Sequence, residues 1–150
     1  MIKRNVIIVD LDGTLYNNEH RAHLAHAGKW DEFHAMSYVD EPFQDVQEFV
    51  RMAYSSKKIV VALTGRSDDY ELITRRWFRR HNVKFNRLLM RPQGNHAPDT
   101  EIKPMLLEKY FGSMDRALGK VLCILEDRDK VVAEWRKLGF RCWQVTQGNY

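Results

Sequence analysis

The chain alternates short apolar runs with longer stretches in which apolar residues recur at helical spacing. Apolar runs of strand length predict five strands, at 6–9, 59–63, 87–90, 121–125 and 141–145. Between them, helical spacing predicts helices at 46–56, 68–81, 105–111 and 130–138. The first run, Val6-Ile7-Ile8-Val9, is apolar and β-branched throughout, which suits a strand buried on both faces of a parallel sheet. This alternation predicts an α/β fold with a mostly parallel sheet of about five strands.

A long polar stretch interrupts this alternation soon after the first strand. It runs from Tyr16 to Glu41, is rich in histidine, and is followed by Pro42. We expect residues 16–41 to form a small cap insert. The whole chain, 1–150, is expected to form a single domain, because its length suits one hydrophobic core.

A second irregular segment is predicted at residues 91–99, which are rich in proline, glycine and asparagine. Pro104 suits the first turn of a helix, because a proline there loses no hydrogen bond. We therefore expect the next helix to begin at Pro104, with Asp99 and Lys103 in the loop before it.

Polar and charged side chains follow four of the predicted strands. The carboxyl ends of parallel strands share one edge of a sheet, and such folds bind their ligands there. The residues at these positions are Asp10 and Asp12, Thr64 and Arg66, Asp99 and Lys103, and Glu126 and Asp127. Four groups in register predict one functional site at this edge.

The run Asp10-Leu11-Asp12-Gly13 carries the clearest chemistry of these groups. Two carboxylates one residue apart can hold a divalent cation and leave an oxygen for nucleophilic attack, and the glycine lets the backbone approach a ligand. An Asp-Gly turn without function is the alternative. A calcium loop of the EF-hand type is excluded, because Thr14 and Arg21 stand where that loop needs acidic or amide residues. The run favours phosphoryl transfer through an aspartyl-phosphate.

The charge is distributed unevenly along the chain. Twenty-four Lys and Arg residues against 20 Asp and Glu residues give a net charge of +4. The segment from Arg66 to Arg91 alone holds eight basic and three acidic residues. A basic segment beside an acidic loop suits a polyanionic substrate, but a solvated helix face explains it equally well.

The two cysteines, Cys123 and Cys142, predict isolated or packed thiols and not a disulfide framework. We expect a protein of the reducing cytoplasm that has no membrane contact, because no apolar run reaches membrane-spanning length and no signal peptide precedes the first strand.

The cap insert contains two sets of residues that allow alternative roles. Its histidines at 20, 23 and 26 suggest zinc, but no cysteine is nearby and no pair has i, i+4 spacing, so solvated or phosphate-facing rings are favoured. Trp30, Phe33 and Tyr38 suit either stacking on nucleobases or a small cap core, and the core is favoured. Outside the insert, the aromatic residues Trp77, Trp135 and Trp143 are expected to pack in the interior.

The order of these motifs resembles the haloacid dehalogenase (HAD) superfamily, which implies a Rossmann-like three-layer sandwich. The pattern Asp-x-Asp-x-Thr, then Thr or Ser, then Lys, then an acidic pair is met by Asp10/Asp12/Thr14, Thr64, Lys103 and Glu126/Asp127. The 3′-phosphatase domain of T-even bacteriophage polynucleotide kinase/3′-phosphatase is more similar still. That resemblance rests on Arg21, Gly65-Arg66, the Asp99-x-x-x-Lys103 spacing and the tail 131–148. A nucleotide-binding loop of the kinase type is absent, so no kinase activity is expected.

The resemblance implies catalytic and metal-binding roles. Asp10 would be the nucleophile, and Asp12 would act as general acid and then as general base. Mg²⁺ would be held by Asp10, Asp127 and the main-chain carbonyl of Asp12, and Glu126 would support it.

The resemblance also implies a set of groups that bind phosphate or substrate: Thr64, Gly65, Arg66, Lys103, Arg21 and Asp99. The guanidinium groups of Arg66 and Arg21 could grip the scissile phosphate or the next phosphodiester. For Lys103, the residue pattern alone favours a surface lysine that pairs with Asp99.

These inferences predict a Mg²⁺-dependent phosphatase that removes 3′-phosphate from polynucleotide ends, with a kinase or ligase as a separate partner. One alternative is a nucleotidase that acts on small molecules, with free nucleotides as substrate. Another is a non-catalytic module that binds phosphorylated ends. The sequence does not indicate an oligomeric state.

Overall fold

The sheet holds five parallel strands in the order β3-β2-β1-β4-β5. A computed structural model describes residues 3–148, so the expected domain, 1–150, extends two residues beyond them at each end. The strands are β1 (Val6–Val9), β2 (Ile59–Ser67), β3 (Arg87–Arg91), β4 (Val121–Arg128) and β5 (Cys142–Gly148). The predicted α/β class, with a parallel sheet of about five strands, is confirmed.

Seven α-helices connect the strands in the described part of the chain. They are α1 (Ala22–His26), α2 (Trp30–Ala35), α3 (Gln44–Ser55), α4 (Glu71–Arg80), α5 (Asp99–Phe111), α6 (Met114–Lys120) and α7 (Asp129–Lys137). Short 3-10 turns lie at Glu19–Arg21, Met36–Val39 and Asp68–Tyr70.

Two apolar cores lie on opposite faces of the sheet and produce three layers. On one face, α5 and α7 contribute Leu107 and Trp135 to a core with alternate residues of the strands. On the other face, α3 and α4 contribute Val50 and Trp77. All four residues of β1 are buried, as expected for the central strand of a sheet that is covered on both faces.

The helix that follows β3 begins earlier than the sequence predicts. It starts at Asp99 and not at Pro104, so Asp99 and Lys103 lie on its first two turns. Pro98 supplies the extended backbone that precedes the helix, with φ −62° and ψ 156°. The predicted helix start at Pro104 was therefore wrong. Pro98 already precedes the first helical residue, and Pro104 is tolerated inside the helix.

Strands β2 and β4 extend further than their apolar runs. Thr64 and Arg66 lie within β2, and Glu126 and Asp127 lie within β4, not after these strands. Thr64 pairs with β3 and Glu126 pairs with β5, whereas Arg66 and Asp127 lie where the register of each pairing shifts. The ladder ends beyond the apolar run because backbone hydrogen bonds, not side-chain polarity, define a strand.

Two further elements differ from expectation. Helix α6 was not predicted. Gly112, in the left-handed region at φ 84°, ends α5, and the Ser113 hydroxyl caps the new helix by accepting from the Arg116 N–H.

Trp143 is 47% exposed and packs only partly, against Phe49, because β5 is an edge strand.

Other predictions agree with the structure. Trp77 and Trp135 are buried. Cys123 and Cys142 are buried free thiols, and burial raises their pKa values to about 11 and about 12. Among the described residues, no helix is long and apolar enough to cross a membrane.

Candidate active site

The central strands bring the predicted site residues together at the carboxyl edge of the sheet. Asp10 directly follows β1, and its N–H donates to the Leu125 carbonyl of β4. A cavity of about 710 Å³ opens at this edge. Of the predicted site residues, it is lined by Asp10, Asp12, Thr64, Gly65, Arg66, Asp99 and Lys103. Three separate parts of the chain therefore supply predicted site residues to one cavity.

Three buried carboxylates form the centre of the site. Asp10, Glu126 and Asp127 each offer a ligand oxygen, and these oxygens lie within 4.8 Å of one another. The Thr14 hydroxyl lies 2.9 Å from Asp10 Oδ2 and 3.2 Å from Asp127 Oδ1. Glu126 Oε1 accepts hydrogen bonds from the backbone N–H groups of Asp127 and Arg128, so the Glu126 side chain is fixed by its own strand.

Lys103 reaches into this carboxylate cluster from helix α5. Its Nζ lies 2.7 Å from Asp10 Oδ1 and 2.6 Å from Glu126 Oε2, and the residue is 1% exposed. Asp99, one helical turn away, is more distant at 3.9 Å. Burial disfavours the ammonium, but Asp10, Glu126 and Asp99 raise the pKa of Lys103 well above its usual value. The alternative of a surface lysine is wrong.

The charge of the cluster fits a divalent cation. Three carboxylates face one ammonium, so a buried excess of negative charge remains among these four side chains. Burial, together with Glu126 and Asp127, raises the pKa of Asp10 well above its ordinary value, although Lys103 opposes the shift. Carboxylate oxygens are ligands that Mg²⁺ prefers, and a bound cation would offset the negative charge of Glu126 and Asp127 that contributes to this pKa shift.

Asp12 pairs with two arginines and is not a member of the carboxylate cluster. Its Oδ1 accepts from Arg21 and from Arg66, both at 2.6 Å, and its Oδ2 lies 3.3 Å from Arg66 Nε. Burial alone would raise the pKa of Asp12, but Arg66 and Arg21 hold it well below its ordinary value. In this geometry Asp12 is an ionised acceptor whose carboxylate is held in one orientation.

Arg21 and Arg66 are held in turn by groups that the sequence reading did not identify. Arg21 Nε donates to both oxygens of Asp40, at 2.9 and 3.0 Å, and Arg21 does not line the cavity. Arg66 donates to the Thr74 hydroxyl at 2.9 Å. Asp40 is also contacted by His20, at 2.7 Å. The sequence offers one signal for Asp40, which is an acidic residue in the same insert as Arg21. This signal identifies Asp40 as the partner of Arg21 only once Arg21 is known to be buried.

Thr64 and Gly65 line the same cavity as Asp10, and there is little free space at Gly65. The Thr64 Oγ1 accepts from the Arg66 N–H at 3.1 Å, which leaves its own O–H to donate to a ligand. A Cβ at Gly65 would collide with the Asp99 carboxylate. That carboxylate binds Arg91 at 2.6 Å and Arg128 at 2.9 Å. The sequence analysis did not predict Arg91 and Arg128, which both line the cavity, as site residues.

The basic segment from Arg66 to Arg91 divides between two environments. Its end residues, Arg66 and Arg91, line the cavity. The four arginines of α4 between them are exposed, and Arg75 pairs with Glu71 at 2.7 Å. The interpretation as a solvated helix face therefore holds for α4, whereas binding of a polyanionic substrate by Arg66 and Arg91 stays a prediction.

The insert supplies one wall of the cavity. Trp30, Asp31, Phe33 and His34 of α2 line it, next to Tyr70 of the turn after β2. Phe33 is buried, as expected for a cap core, whereas Trp30 and Tyr38 are exposed. In the part of the chain that the structure describes, the group with metal-ligating spacing is the carboxylate cluster, and the insert histidines are not part of it.

Known proteins are similar to this chain in sequence and in fold. A family model for the polynucleotide kinase PNKP phosphatase domain matches residues 4–150. A chain in the structure of the Pnkp1/Rnl/Hen1 complex is similar at 27% identity and a TM-score of 0.82, over 100% of this chain and 49% of that chain. A chain of the Pnkp1/Rnl/Hen1 RNA repair complex gives the same identity and TM-score, over 97% of this chain and 43% of that one.

This chain therefore spans about half the length of those two chains, or less. A haloacid dehalogenase-like hydrolase from Streptococcus pneumoniae shares the fold, at 13% identity and a TM-score of 0.64, over 95% of this chain and 84% of that one.

Proposed function

This chain belongs to the family of polynucleotide kinase PNKP phosphatase domains, and from that premise we propose a Mg²⁺-dependent phosphatase that removes 3′-phosphate from polynucleotide ends. The resemblance to this family and to the HAD superfamily that the motifs indicate is confirmed. The observation that best supports the proposed chemistry is the position of Asp10. It belongs to the buried acid cluster, contacts Lys103, and lines an open cavity that Asp12 also lines.

The first step is the transfer of the phosphoryl group to Asp10. A bond forms between an Asp10 oxygen and phosphorus while the bond from phosphorus to the sugar oxygen breaks. Lys103 and Thr14 each hold one oxygen of Asp10, so the carboxylate is oriented before the substrate arrives. The leaving sugar oxygen takes a proton, which we assign to Asp12.

The second step is hydrolysis of the aspartyl-phosphate. Asp12 takes a proton from water, the water oxygen attacks phosphorus, and the bond to Asp10 breaks to release phosphate. The ionised Asp12 of this structure suits the role of general base in this step. For its role as general acid in the first step, we propose that the substrate phosphate competes with Asp12 for Arg66. A carboxylate that loses one of its two arginines gains a proton more readily.

The residues around the cluster support binding of phosphate and metal. Thr64, the N–H of Gly65 and Lys103 would neutralise charge on the phosphate oxygens in the transition state. Asp10, Asp127 and the main-chain carbonyl of Asp12 would hold Mg²⁺, with Glu126 beside them. The bound metal would supply positive charge that lets a phosphate dianion approach a carboxylate.

Arg66 and Asp99 have proposed roles at the cavity wall, and Arg21 has one behind it. Arg66 would contact the phosphate directly, because it lines the cavity. Arg21 would act through Asp12, since it lies behind that residue. Asp99 would hold Arg91 and Arg128 toward the substrate.

The test is phosphate release, with Mg²⁺, from one oligonucleotide that carries a 3′-phosphate, beside its 5′-phosphorylated twin and free 3′- and 5′-nucleotides. We expect selective release from the 3′-phosphorylated oligonucleotide. Asp10→Asn should abolish release, and Asp115→Asn, at an exposed position on α6, should not change it. Release that survives Asp10→Asn would contradict the mechanism.

The nucleotidase alternative is favoured by one observation, the cavity volume, which lies within the range for small ligands. A preference for free nucleotides in the same assay would select it. No release from any substrate, with binding retained, would select a module that binds phosphorylated ends. We further expect a cytoplasmic protein whose kinase or ligase partner lies outside this chain; the Pnkp1/Rnl/Hen1 RNA repair complex motivates this expectation.

A further inference from the structure

We propose that Trp30, His34 and Tyr70, here called the aromatic wall, bind the nucleobase of the nucleotide that carries the scissile phosphate. The enzyme would then select an unpaired nucleotide at the end of a single strand. This inference rests on the proposed function, because it names the part of the substrate next to the phosphate that Asp10 attacks.

The aromatic wall belongs to the same cavity as the nucleophile. Its three residues and Asp10 all line that cavity. Trp30 and His34 come from α2 of the insert, whereas Tyr70 comes from the turn after β2. The two sides are joined by a hydrogen bond of 2.9 Å from the Tyr70 hydroxyl to Asp31. A ligand therefore meets a wall that is assembled before it binds.

The rings of the wall form a continuous surface. The rings of His34 and Trp30 stack with their centroids 6.2 Å apart and their planes at 29°. The ring centroids of His34 and Tyr70 are 5.1 Å apart. His34 adds no charge to this surface, because burial lowers its pKa to about 4. A neutral aromatic surface of this kind suits a flat apolar face, as nucleobases have.

Trp30 is exposed without a structural need. The buried ring of the cap is Phe33, which Trp30 meets edge to face at 5.7 Å and which the Arg21 guanidinium covers at 4.0 Å. Trp30 itself is 49% exposed at the cavity. A large aromatic side chain that lines the same cavity as Asp10 and is not part of the core favours a ligand with an aromatic face.

The chemistry of stacking selects the class of substrate. Every base has a π-face, so stacking tolerates any sequence, as an enzyme that processes ends requires. A base inside a duplex is paired and stacked on its neighbours, and freeing it costs energy. The aromatic wall therefore favours an unpaired terminal nucleotide over a paired one.

The first experiment compares two single-stranded oligonucleotides with a 3′-phosphate, of which one lacks the base of its last nucleotide. We expect kcat/KM of the unaltered enzyme to fall about 10-fold without the base. Trp30→Ala should cause a fall of about 10-fold on the substrate with the base, mainly through KM, and none on the substrate without it. Trp143→Ala is the matched control, because Trp143 is similarly exposed outside the cavity lining, and it should have no effect.

Two results of this comparison would overturn the inference. One is equal activity of the unaltered enzyme on both substrates. The other is an equal loss in Trp30→Ala on both, which would indicate a structural role for the ring. Trp30→Phe keeps an aromatic face and should recover most of the loss. A third substrate, in which a complementary strand pairs the terminal nucleotide, should react more slowly than the unpaired one, and an equal rate would contradict the preference for single strands.

A binding measurement separates this inference from the proposed function. Asp10→Asn is titrated with the same two oligonucleotides, and fluorescence anisotropy should show a Kd about 10-fold lower when the terminal base is present. Discrimination without phosphate release from any substrate in the unaltered enzyme would reject the proposed function and keep the aromatic wall. Phosphate release without discrimination would reject the aromatic wall alone.

Discussion

Asp12 is held ionised by a chain of buried charges that ends at Asp40. Arg21 contacts both acids, and all of these side chains are largely or fully shielded from water. A buried charge is stable only while its partners remain, so the orientation of Asp12 depends on residues that are absent from the cavity lining. Helix α4 adds a further support, because Trp77 Nε1 donates to the Asp40 carbonyl at 2.8 Å.

Replacing Asp40 by Asn should destabilise the protein through Arg21. The Arg21 guanidinium would keep its ion pair with Asp12 but lose the negative charge of Asp40. We therefore expect the free energy of unfolding to fall by about 3 kcal/mol. Urea unfolding measures the change. His20→Gln is the control, because it removes only the 42% exposed partner of Asp40, and it should change stability by less than about 1 kcal/mol. Equal effects of the two substitutions would contradict this account.

His34 should make the stability of the protein depend on pH. Its pKa is about 4 in the folded protein and 6.5 in the unfolded chain, because burial opposes the charged ring. Between these values the unfolded chain binds a proton that the folded protein does not, so stability falls as pH decreases from about 7 to about 4. The full effect is about 3 kcal/mol.

Replacing His34 by Gln removes this contribution. The loss of stability between pH 7 and pH 5, measured by urea unfolding, should be smaller in His34→Gln than in the unaltered protein. Other groups titrate in the same range, so the quantity of interest is the difference between the two proteins. Identical pH profiles would show that His34 is not held neutral.

At the scale of single elements, helix α5 and strands β2 and β4 form most of the site. Because α5 begins at Asp99, the side chains of Asp99 and Lys103 are one turn apart and both face the cavity. If the helix began at Pro104, neither residue would have a defined direction. The early start therefore explains how Lys103 reaches Asp10 and Glu126.

Pro104 lies inside α5 and lacks the N–H that a helical residue donates to the carbonyl four positions earlier. Pro104→Ala should therefore raise the free energy of unfolding by about 1 to 3 kcal/mol, measured by thermal or urea unfolding. Phosphatase activity should not change, because the first two turns of the helix stay in place. A fall in activity together with higher stability would mean that Pro104 sets the direction of Lys103.

For the whole molecule, the decisive feature is negative charge gathered at the centre of a basic protein. The chain carries +4 overall, yet three carboxylates and one ammonium meet at the cavity, where Asp10 and Lys103 line it. Such a cluster stores repulsion in the folded state. A ligand that binds the folded protein and relieves this repulsion raises stability by mass action.

Mg²⁺ should therefore stabilise the protein in the absence of any substrate. At about 100 times its Kd, the expected gain in the free energy of unfolding is about 2.7 kcal/mol. Asp127→Asn should abolish most of this gain, whereas Asp115→Asn on α6 should keep it. Thermal unfolding with and without Mg²⁺ measures both, and equal stabilisation of the two variants would contradict a metal site at the cluster.

The sequence was most informative where chemistry and strand order coincide. Asp10, Asp12, Thr64, Glu126 and Asp127 could be named because apolar runs mark strands, and polar residues at the ends of parallel strands must share one edge. The assignment of these residues to their roles stays a prediction, as does the domain organisation. The order of the five strands and of α3, α4, α5 and α7 followed from the same periodicity, whereas α1, α2 and α6 were not predicted.

The partners of these residues could not be found in this way. Asp40 holds Arg21 across the insert, Thr74 holds Arg66 from α4, and Arg91 and Arg128 meet on Asp99. Each of these pairs joins side chains whose sequence separation has no fixed relation to their distance in space. Only the packing of helices on the sheet brings them within hydrogen-bond range.

The sequence by itself determined the α/β alternation, the parallel sheet and the acidic motifs at its carboxyl edge, because these depend on local periodicity and on strand order. Only the tertiary structure decided which charges are buried together. It placed Lys103 between two carboxylates, paired Asp12 with two arginines, and turned Trp30 toward the cavity while Phe33 fills the cap core. The physical reason is that burial and electrostatic pairing depend on distances in space, which the chain acquires only when distant segments pack against each other.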